Sequence, residues 1–558
     1  MLIKITALCI ALGVSLIQGN TLDGIILDSK NGQPIPSANI QIKDTALGTS
    51  SDEKGRFSID INTRDSFELI ISVIGYRDTT LLVSNQNFEG VTTFYLHQMA
   101  VELDELNVHS HHHDKISKSP SSVSIFGNQF QKSTKNSLAS TLAGESGLAV
   151  RSFGQATERP ILRGYSGDRF LIARDGTELN DLSATSADHA VSTEISSMDG
   201  VEIIRGPESL LYGSNTIAGV INLSPLLSYD YLVDSPLYKL ILGHESSNKS
   251  NIAYFGTIIP RGNYQFSSAV STREAGNQIS PVGAVENTAL SKSDIFTSFA
   301  KYNENGYSIL SLENFEMSYG IPSSPEGHID GVDLKMKKLS QKFKYHADIS
   351  LGIFNTLDIE QGYVDYEHRE FENNKSYHAV LLSHNINYLK ADISSDILKF
   401  GSLYQRKKFI AGGFYWTPNT YEDKFAIYAS KKGIILGYNT NYSGRIEHRS
   451  IRPRSGETFF SNLDANEVRN RQFTLVSGGV SFLKEWENLS NYYQILYTSK
   501  APSIEDLFSD GPHLGNYAYE IGDPNLSQEN TLGFENTLSI FNSKSSLNFT
   551  SYLNYSPN

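Results

Sequence analysis

Hydrophobic and polar positions alternate with a period of two through the second half of the chain. Near its end Leu547, Phe549, Leu553 and Tyr555 fall on one face, and Asn548, Thr550 and Asn554 on the other. That is the pattern of a half-buried strand. Leu334 and Met336 alternate with Lys335 and Lys337 in the same way. Tyr366, His368 and Glu370 share one face and Glu367 and Arg369 the other, because side chains two apart point the same way. Residues 236–558 give about fifteen such strands, only half apolar, as in a transmembrane β-barrel. Residues 21–97 read differently. Short strands (Asp23–Leu27, Ala38–Ile42, Gly55–Ile61, Phe67–Val73, Thr92–Leu96) are punctuated by Asn31-Gly32 and Lys54-Gly55, which predicts a small β-sandwich. Between these regions lies an α+β stretch. Leu138 and Leu142 stand at i, i+4 in a helix-like Ser137–Ala143. Two apolar strands flank the turn Arg205-Gly206-Pro207 and the corner Leu211-Tyr212-Gly213.

The N-terminus is read as a targeting signal over residues 1–20. Lys4 supplies the charge, and Ile5 to Ile17 an apolar run too short to span a membrane. The one cysteine, Cys9, lies inside it, so the mature protein is expected to lack thiols and Cys-ligated metal. No later run reaches 18 apolar residues, so a membrane-crossing form has to be a barrel. A net charge of −14 argues against a nucleic-acid partner and leaves cation capture open. Tyr 30 and Phe 28, against Trp 2, supply aromatic girdles. There is no nucleophile elbow, P-loop or H-E-x-x-H, so an enzyme is not expected.

Residues 201–223, VEIIRGPESLLYGSNTIAGVINL, resemble the closing segment of the plug of TonB-dependent outer-membrane receptors. The same resemblance runs through Ser121–Phe126, Gly147–Val150, Ile161–Tyr165 and Asp168–Gly176, and marks residues 119–228 as plug and 236–558 as barrel. Residues 32–40, 52–57 and Ile74-Gly75-Tyr76 resemble the non-catalytic carboxypeptidase-regulatory-like domain that precedes such receptors in the Bacteroidota. Residues 98–118 are then a linker. Within it Glu102, Leu103, Asp104, Glu105, Leu106, Asn107 and Val108 resemble a TonB box, the strand that TonB captures by β-augmentation. His109, His111, His112 and His113 follow, a tract suited to metal handover or sensing. The resemblance implies plug-to-wall ion pairs from Arg163 and Arg205, a monomer in outer-membrane lipid, and TonB with its inner-membrane energising complex as partner. It implies 22 strands. The chain ends at Asn558 without a terminal aromatic residue, so about seven strands are expected to be missing and the chain alone not to function.

Ala187-Asp188-His189-Ala190 narrows the resemblance to the zinc-uptake subgroup. Adjacent carboxylate and imidazole suit a borderline cation. Tyr319–Pro322 with the acidic loop containing His328, the strand Tyr366-Glu367-His368-Arg369-Glu370, and Ala501–His513 match that subgroup too. They imply a zinc site built of Asp188, His189, Glu370 and His513, with His368 and Glu367 as substitutes. Zinc is then the transported ligand, and no obligatory cofactor is expected. Two other readings stay open: a receptor for an iron chelate, cobalamin or glycan, using Arg406, Tyr415 and Trp416, and a non-transporting adhesin that needs no TonB box.

Overall fold

The computed structural model describes residues 21–29, 31–43, 47–61, 66–73, 76, 79–84, 91–96, 120, 122–227, 230–323, 331–372, 379–413, 417–454, 463, 466–513, 518–542 and 545–557. The signal segment, the TonB box and His109, His111, His112 and His113 lie outside them, as do His328, Tyr415 and Trp416. Two compact units divide near His109.

The first unit has seven strands: β1 (Thr21–Asp28), β2 (Asn39–Ile42), β3 (Gly48–Ser50), β4 (Arg56–Asp60), β5 (Ser66–Ser72), β6 (Thr79–Ser84) and β7 (Thr92–Leu96). They form two sheets, β4-β1-β7 and β3-β2-β5-β6. Alternate residues such as Leu22, Ile26, Ile40, Leu69 and Ile71 are fully buried in one apolar core. β3 and β6 escape the sequence pattern because they are edge strands with Ser or Thr at half or more of their positions.

The second unit opens with β8 (Val123–Phe126), α1 (Gly127–Ser133) and α2 (Leu138–Leu142). α2 starts where Ser137 and Ser140 form a reciprocal capping box. Then come β9 (Leu148–Arg151), β10 (Arg159–Leu162), β11 (Leu171–Arg174), β12 (Thr177–Glu178), β13 (Met198–Ile204) and β14 (Val220–Pro225). A five-stranded sheet, β12-β11-β14-β13-β8, carries this plug. The Gly206 turn touches the wall so closely that a Cβ there would overlap the Gln494 side chain, and its φ of 84° suits glycine.

The wall follows: β15 (Leu237–Glu245), β16 (Ser250–Arg261), β17 (Tyr264–Ala275), the hairpin β18 (Gln278–Ser280) and β19 (Gly283–Val285), β20 (Leu290–Asn303), β21 (Gly306–Ile321), β22 (Val332–Leu351), β23 (Phe354–Glu372), β24 (Val380–Ser394), β25 (Leu398–Gly413), β26 (Thr420–Ile435), β27 (Tyr438–Pro453), β28 (Arg471–Trp486), β29 (Leu489–Lys500), α3 (Ile504–Phe508), the hairpin β30 (Asp510–His513) and β31 (Ala518–Ile521), β32 (Glu529–Phe541) and β33 (Ser546–Tyr555). Apart from the two small hairpins these make one antiparallel sheet of fifteen strands in chain order, in which β15 and β33 do not pair with each other. No helix among the described residues is long and apolar enough to cross a membrane.

Connections alternate between short turns, such as Gly262-Asn263 and Leu436-Gly437, and long loops at the opposite rim, such as 454–470 and 501–528. In outer-membrane barrels the long loops face outward from the cell. Along β22 the sense of the alternation inverts. Toward the long-loop rim Leu334 and Met336 are buried inside while Lys335 and Lys337 face out. Farther down Leu339 and Phe343 face out, 46% and 38% exposed, while Lys338, Lys342 and Lys344 point into the lumen. The same change occurs on β21, where outward Glu316 pairs with Lys337 at 3.4 Å above outward Leu312 and Leu310. The crossover marks the upper edge of the lipid band. Accordingly, Ile427→Arg on the outward face of β26 is expected to destabilise the wall by about 2–4 kcal/mol. Lys335→Ala at the rim is expected to change it by less than about 0.5 kcal/mol. Urea unfolding in lipid vesicles measures both.

Candidate metal centre

Plug and wall are joined chiefly through charge. Arg163 reaches Glu535 of β32 at 2.5 Å, Arg169 reaches Glu529 at 3.0 Å, and Lys500 of β29 reaches Asp168 at 2.9 Å. Arg174 pairs with Glu313 of β21, and Lys344 of β22 with Asp175. Arg205, expected in the same role, donates to Ser146 O within the plug at 3.4 Å.

Between β12 and β13 the plug segment 181–194 climbs to the long-loop rim and closes on itself. Asp181 accepts from Ser192 N at 2.8 Å, Ser192 Oγ at 2.9 Å and Ser183 N at 3.0 Å. Arg159 Nη1 donates to Ser186 O at 2.9 Å. At the far end Glu194 takes two bonds from Arg273 of β17, at 2.9 and 3.2 Å. Arg273 is fully buried and also donates to Asn136 at 2.9 Å. Burial alone would raise the Glu194 carboxyl, but Arg273 and Lys292 hold it down at about 2.

This closed segment delivers Asp188 and His189. β23 delivers Glu370, two residues from its end, and the β30–β31 hairpin delivers His513. All four side chains are at least 95% buried, and one ligand atom from each lies within 4.8 Å of the others. Asp188 Oδ2 stands 3.3 Å from His513 Nε2 and 3.9 Å from His189 Nε2. Glu370 Oε1 stands 3.7 Å from His189 Nε2 and 3.9 Å from His513 Nε2. Tetrahedral ligands about 2.0–2.1 Å from one ion sit about 3.3–3.4 Å apart, so the set, now spread over up to 4.8 Å, has to draw in by up to about 1.4 Å to grip a zinc-sized cation.

The second layer orients each donor. His189 Nδ1 lies 3.1 Å from both Leu182 O and Thr185 Oγ1, and a carbonyl can only accept, so Nδ1 carries the proton. His513 Nδ1 is 2.9 Å from Glu520 Oε1. Both rings therefore turn Nε2 toward the centre, the arrangement that metal-ligating imidazoles adopt. Ser186 Oγ occupies Asp188 Oδ1 and leaves Oδ2 for the centre. Tyr319 OH donates to Asp188 O at 3.0 Å and accepts from Ala190 N at 3.2 Å. Asp188 Oδ2, His189 Nε2 and both Glu370 oxygens are buried without a hydrogen bond among the described residues. Orphaned donors and acceptors this deep are costly without a ligand. Around them packs an apolar cluster of Leu182, Ala190, Tyr319, Leu334, Met336, Leu382 and Phe508.

Charge is poised for a cation. Burial opposes the charged forms of all three residues outside the wall strands, but their neighbours prevail. His513 and His189 hold the Asp188 carboxyl far below the usual range. Asp188 raises His189 and, more strongly, His513 above the ordinary imidazole value.

Of the two substitutes, His368 joins the cluster. Its Nε2 is 3.3 Å from Glu370 Oε1, and its ring centroid is 4.4 Å from that of His189. Glu367 does not. It lies on the outward face of β23 and pairs with Arg369 at 2.8 Å, as the period of two requires. Arg406 also faces outward, bound to Asp423 at 2.7 Å. The Thr185 contact and the Glu194–Arg273 anchor have no signature in the local sequence. Replacing Arg273 by Ala strands Glu194 in the interior, at a cost of about 3–5 kcal/mol. Limited proteolysis should then cut within 181–194 in receptor that otherwise stays intact.

Residues 22–108 match the CarboxypepD_reg-like domain family, and residues 115–220 the TonB-dependent Receptor Plug Domain family. The fold is shared with solved structures at low identity. The Copper transporter OprC aligns with a TM-score of 0.62 and 14% identity, over 78% of this chain and 71% of that one. The FrpB iron transporter from Neisseria meningitidis gives 0.62 and 13%, over 78% and 72%. A mutant of the ferric enterobactin receptor PfeA from Pseudomonas aeruginosa gives 0.59 and 13%, over 79% and 72%.

Proposed function

We propose that this chain, a TonB-dependent receptor of the outer membrane by its plug domain and barrel fold, takes up zinc or a similar divalent cation. Asp188, His189, Glu370 and His513 are its ligands in this reading. The observation that carries it is the convergence of four buried donors from three separate segments, with acceptor atoms left without hydrogen bonds at their common centre. Positions 188, 189, 370 and 513 of a chain do not meet in one dry pocket for packing reasons, since an apolar core of the same shape costs less than clustered buried charge.

Two nitrogens and two carboxylates suit zinc, which takes such ligands at tetrahedral geometry. The set holds no thiolate or thioether, the donors that select Cu(I). A bulky chelate would need a wide lumenal pocket rather than four donors spaced for one ion. The split of the ligands gives release a physical basis. Asp188 and His189 belong to the plug, and Glu370 and His513 to the wall. A pull transmitted from TonB to the plug removes half of the coordination shell, and neither half alone holds the ion as the whole does. The chain performs no covalent chemistry.

Receptor purified from outer membranes and exposed to zinc is expected to carry about one zinc per chain by mass spectrometry, with tetrahedral ligation. The double variant Asp188→Ala/His189→Ala is expected to lose it. Zinc content unchanged in that variant would overturn the ligand set. Protons compete for the same atoms. Because His189 and His513 are both raised, each holds its proton to a higher pH than a free imidazole, and binding displaces those protons. Affinity is therefore expected to fall as pH falls, by up to about a hundredfold per pH unit while both rings are charged. Calorimetry in buffers of different ionisation enthalpy counts the protons released.

A further inference from the structure

Two buried imidazoles stand outside the four-ligand set. His368 is fully buried; its Nε2 stands 3.3 Å from Glu370 Oε1, and its Nδ1 lacks a hydrogen bond among the described residues. His384 of β24 is 1% exposed; its Nε2 is 2.9 Å from Asn180 O, and its Nδ1 has no hydrogen bond. Since the carbonyl only accepts, Nε2 of His384 carries the proton and Nδ1 keeps a free lone pair. Its ring stacks on Tyr366 at 4.9 Å and 18°.

The strand register puts these two rings in sequence below the centre. Opposite His368 is Leu382, and opposite Tyr366 is His384, so His384 is the diagonal neighbour of His368, one step farther from the rim. Such neighbours lie about 7–8 Å apart, a single hop for an ion passed between imidazoles. One more step leads to the cavity between plug and wall, which reaches Asn180, Lys338, Val364 and Tyr388. Glu370, His368 and His384 thus descend from the rim toward that cavity on adjacent strands. All three stay with the wall when the plug moves.

We propose that His368 and His384 form a transit station, which takes the cation when Asp188 and His189 are withdrawn and passes it to the cavity beneath. The station rests on the metal-uptake reading given above. Asn180, whose carbonyl parks the His384 ring, is a plug residue with φ of 54°, so displacement of the plug also frees that ring. Lys338 lies level with Tyr366 in the register and is itself buried. A cation at His384 is consequently held more weakly than among two carboxylates and two imidazoles. A stage that has to let go requires that.

His384→Gln tests this, because the amide keeps a donor for Asn180 O but offers no imidazole lone pair. The variant is expected to bind zinc at equilibrium within about twofold of the parent, while energised uptake of radioactive zinc by cells falls about tenfold or more. His384→Cys, which restores a zinc ligand but a poor partner for the carbonyl, is expected to regain most of the uptake. His384→Asn repeats the first test if the Gln variant does not reach the outer membrane. Uptake by the Gln or Asn variant equal to that of the parent overturns the station. So does a Cys variant as slow as Gln, which would make the residue structural. A parent receptor that takes up no zinc at all refutes the uptake reading instead, a result separable from both.

Discussion

A wall in lipid has to satisfy its backbone within itself, and that one requirement sets the parity of every side chain it carries. Each inner strand pairs with a neighbour on either side over most of its length, so it has no freedom to rotate. From β16 to β32 the register runs without slippage over the upper and middle wall. Glu370 and His368 therefore face inward because Tyr366 does, and Arg369 and Glu367 face outward with equal necessity. A one-residue shift of β23 would remove the wall's carboxylate from the centre and put a bare charge pair in its place. Much of the lumen's chemistry descends from this constraint, including the inward lysines that meet plug carboxylates lower down.

The plug answers the wall with charge rather than with a large apolar seam. Buried ion pairs break even against apolar packing at best. They are, however, specific in register and can be exchanged one for another as bodies slide. The plug's own sheet has a separate apolar core, in Ile125, Phe130, Leu142, Val201, Ile203 and Ile221. Segment 181–194 is the exception to this arrangement. It is closed on itself through Asp181, tied to the rest of the plug through Arg159 and to the wall through Arg273, and roofed by the apolar cluster at the rim. Two unlike demands meet in it: rigidity for the donors and attachment to a body that moves.

How much of this was legible in the chain varies with the range of the interaction. The strands of the wall follow from local alternation, and so does the common face of Tyr366, His368 and Glu370. The capped start of α2 at Ser137 is likewise local. Neither periodicity nor spacing can bring Asp188 to His513, which meet only where plug and wall pack together; there the resemblance to a receptor family supplied the expectation. Glu194 and Arg273, 79 residues apart, carry no pattern that pairs them. His384 hides for another reason. In Leu382-Ser383-His384 it occupies an ordinary inward position, and only the register with β23 shows it beside His368. β3 and β6 were missed because an edge strand needs no second apolar face.

In the cation-uptake reading proposed above, the inversion of polarity along β22 also bears on where the ion would give up its water. Glu370 pairs with Leu334 and His368 with Met336, both above the point where lysines yield to leucine on the outer surface. The dry donors thus lie outside the plane of the acyl chains. Dehydration, the steepest part of moving an ion inward, is completed by protein atoms in the aqueous layer, before the bilayer is reached. What remains of the journey is then a sequence of ligand exchanges inside a charged lumen, and the hydrocarbon around it presents no electrostatic barrier that the ion has to face alone.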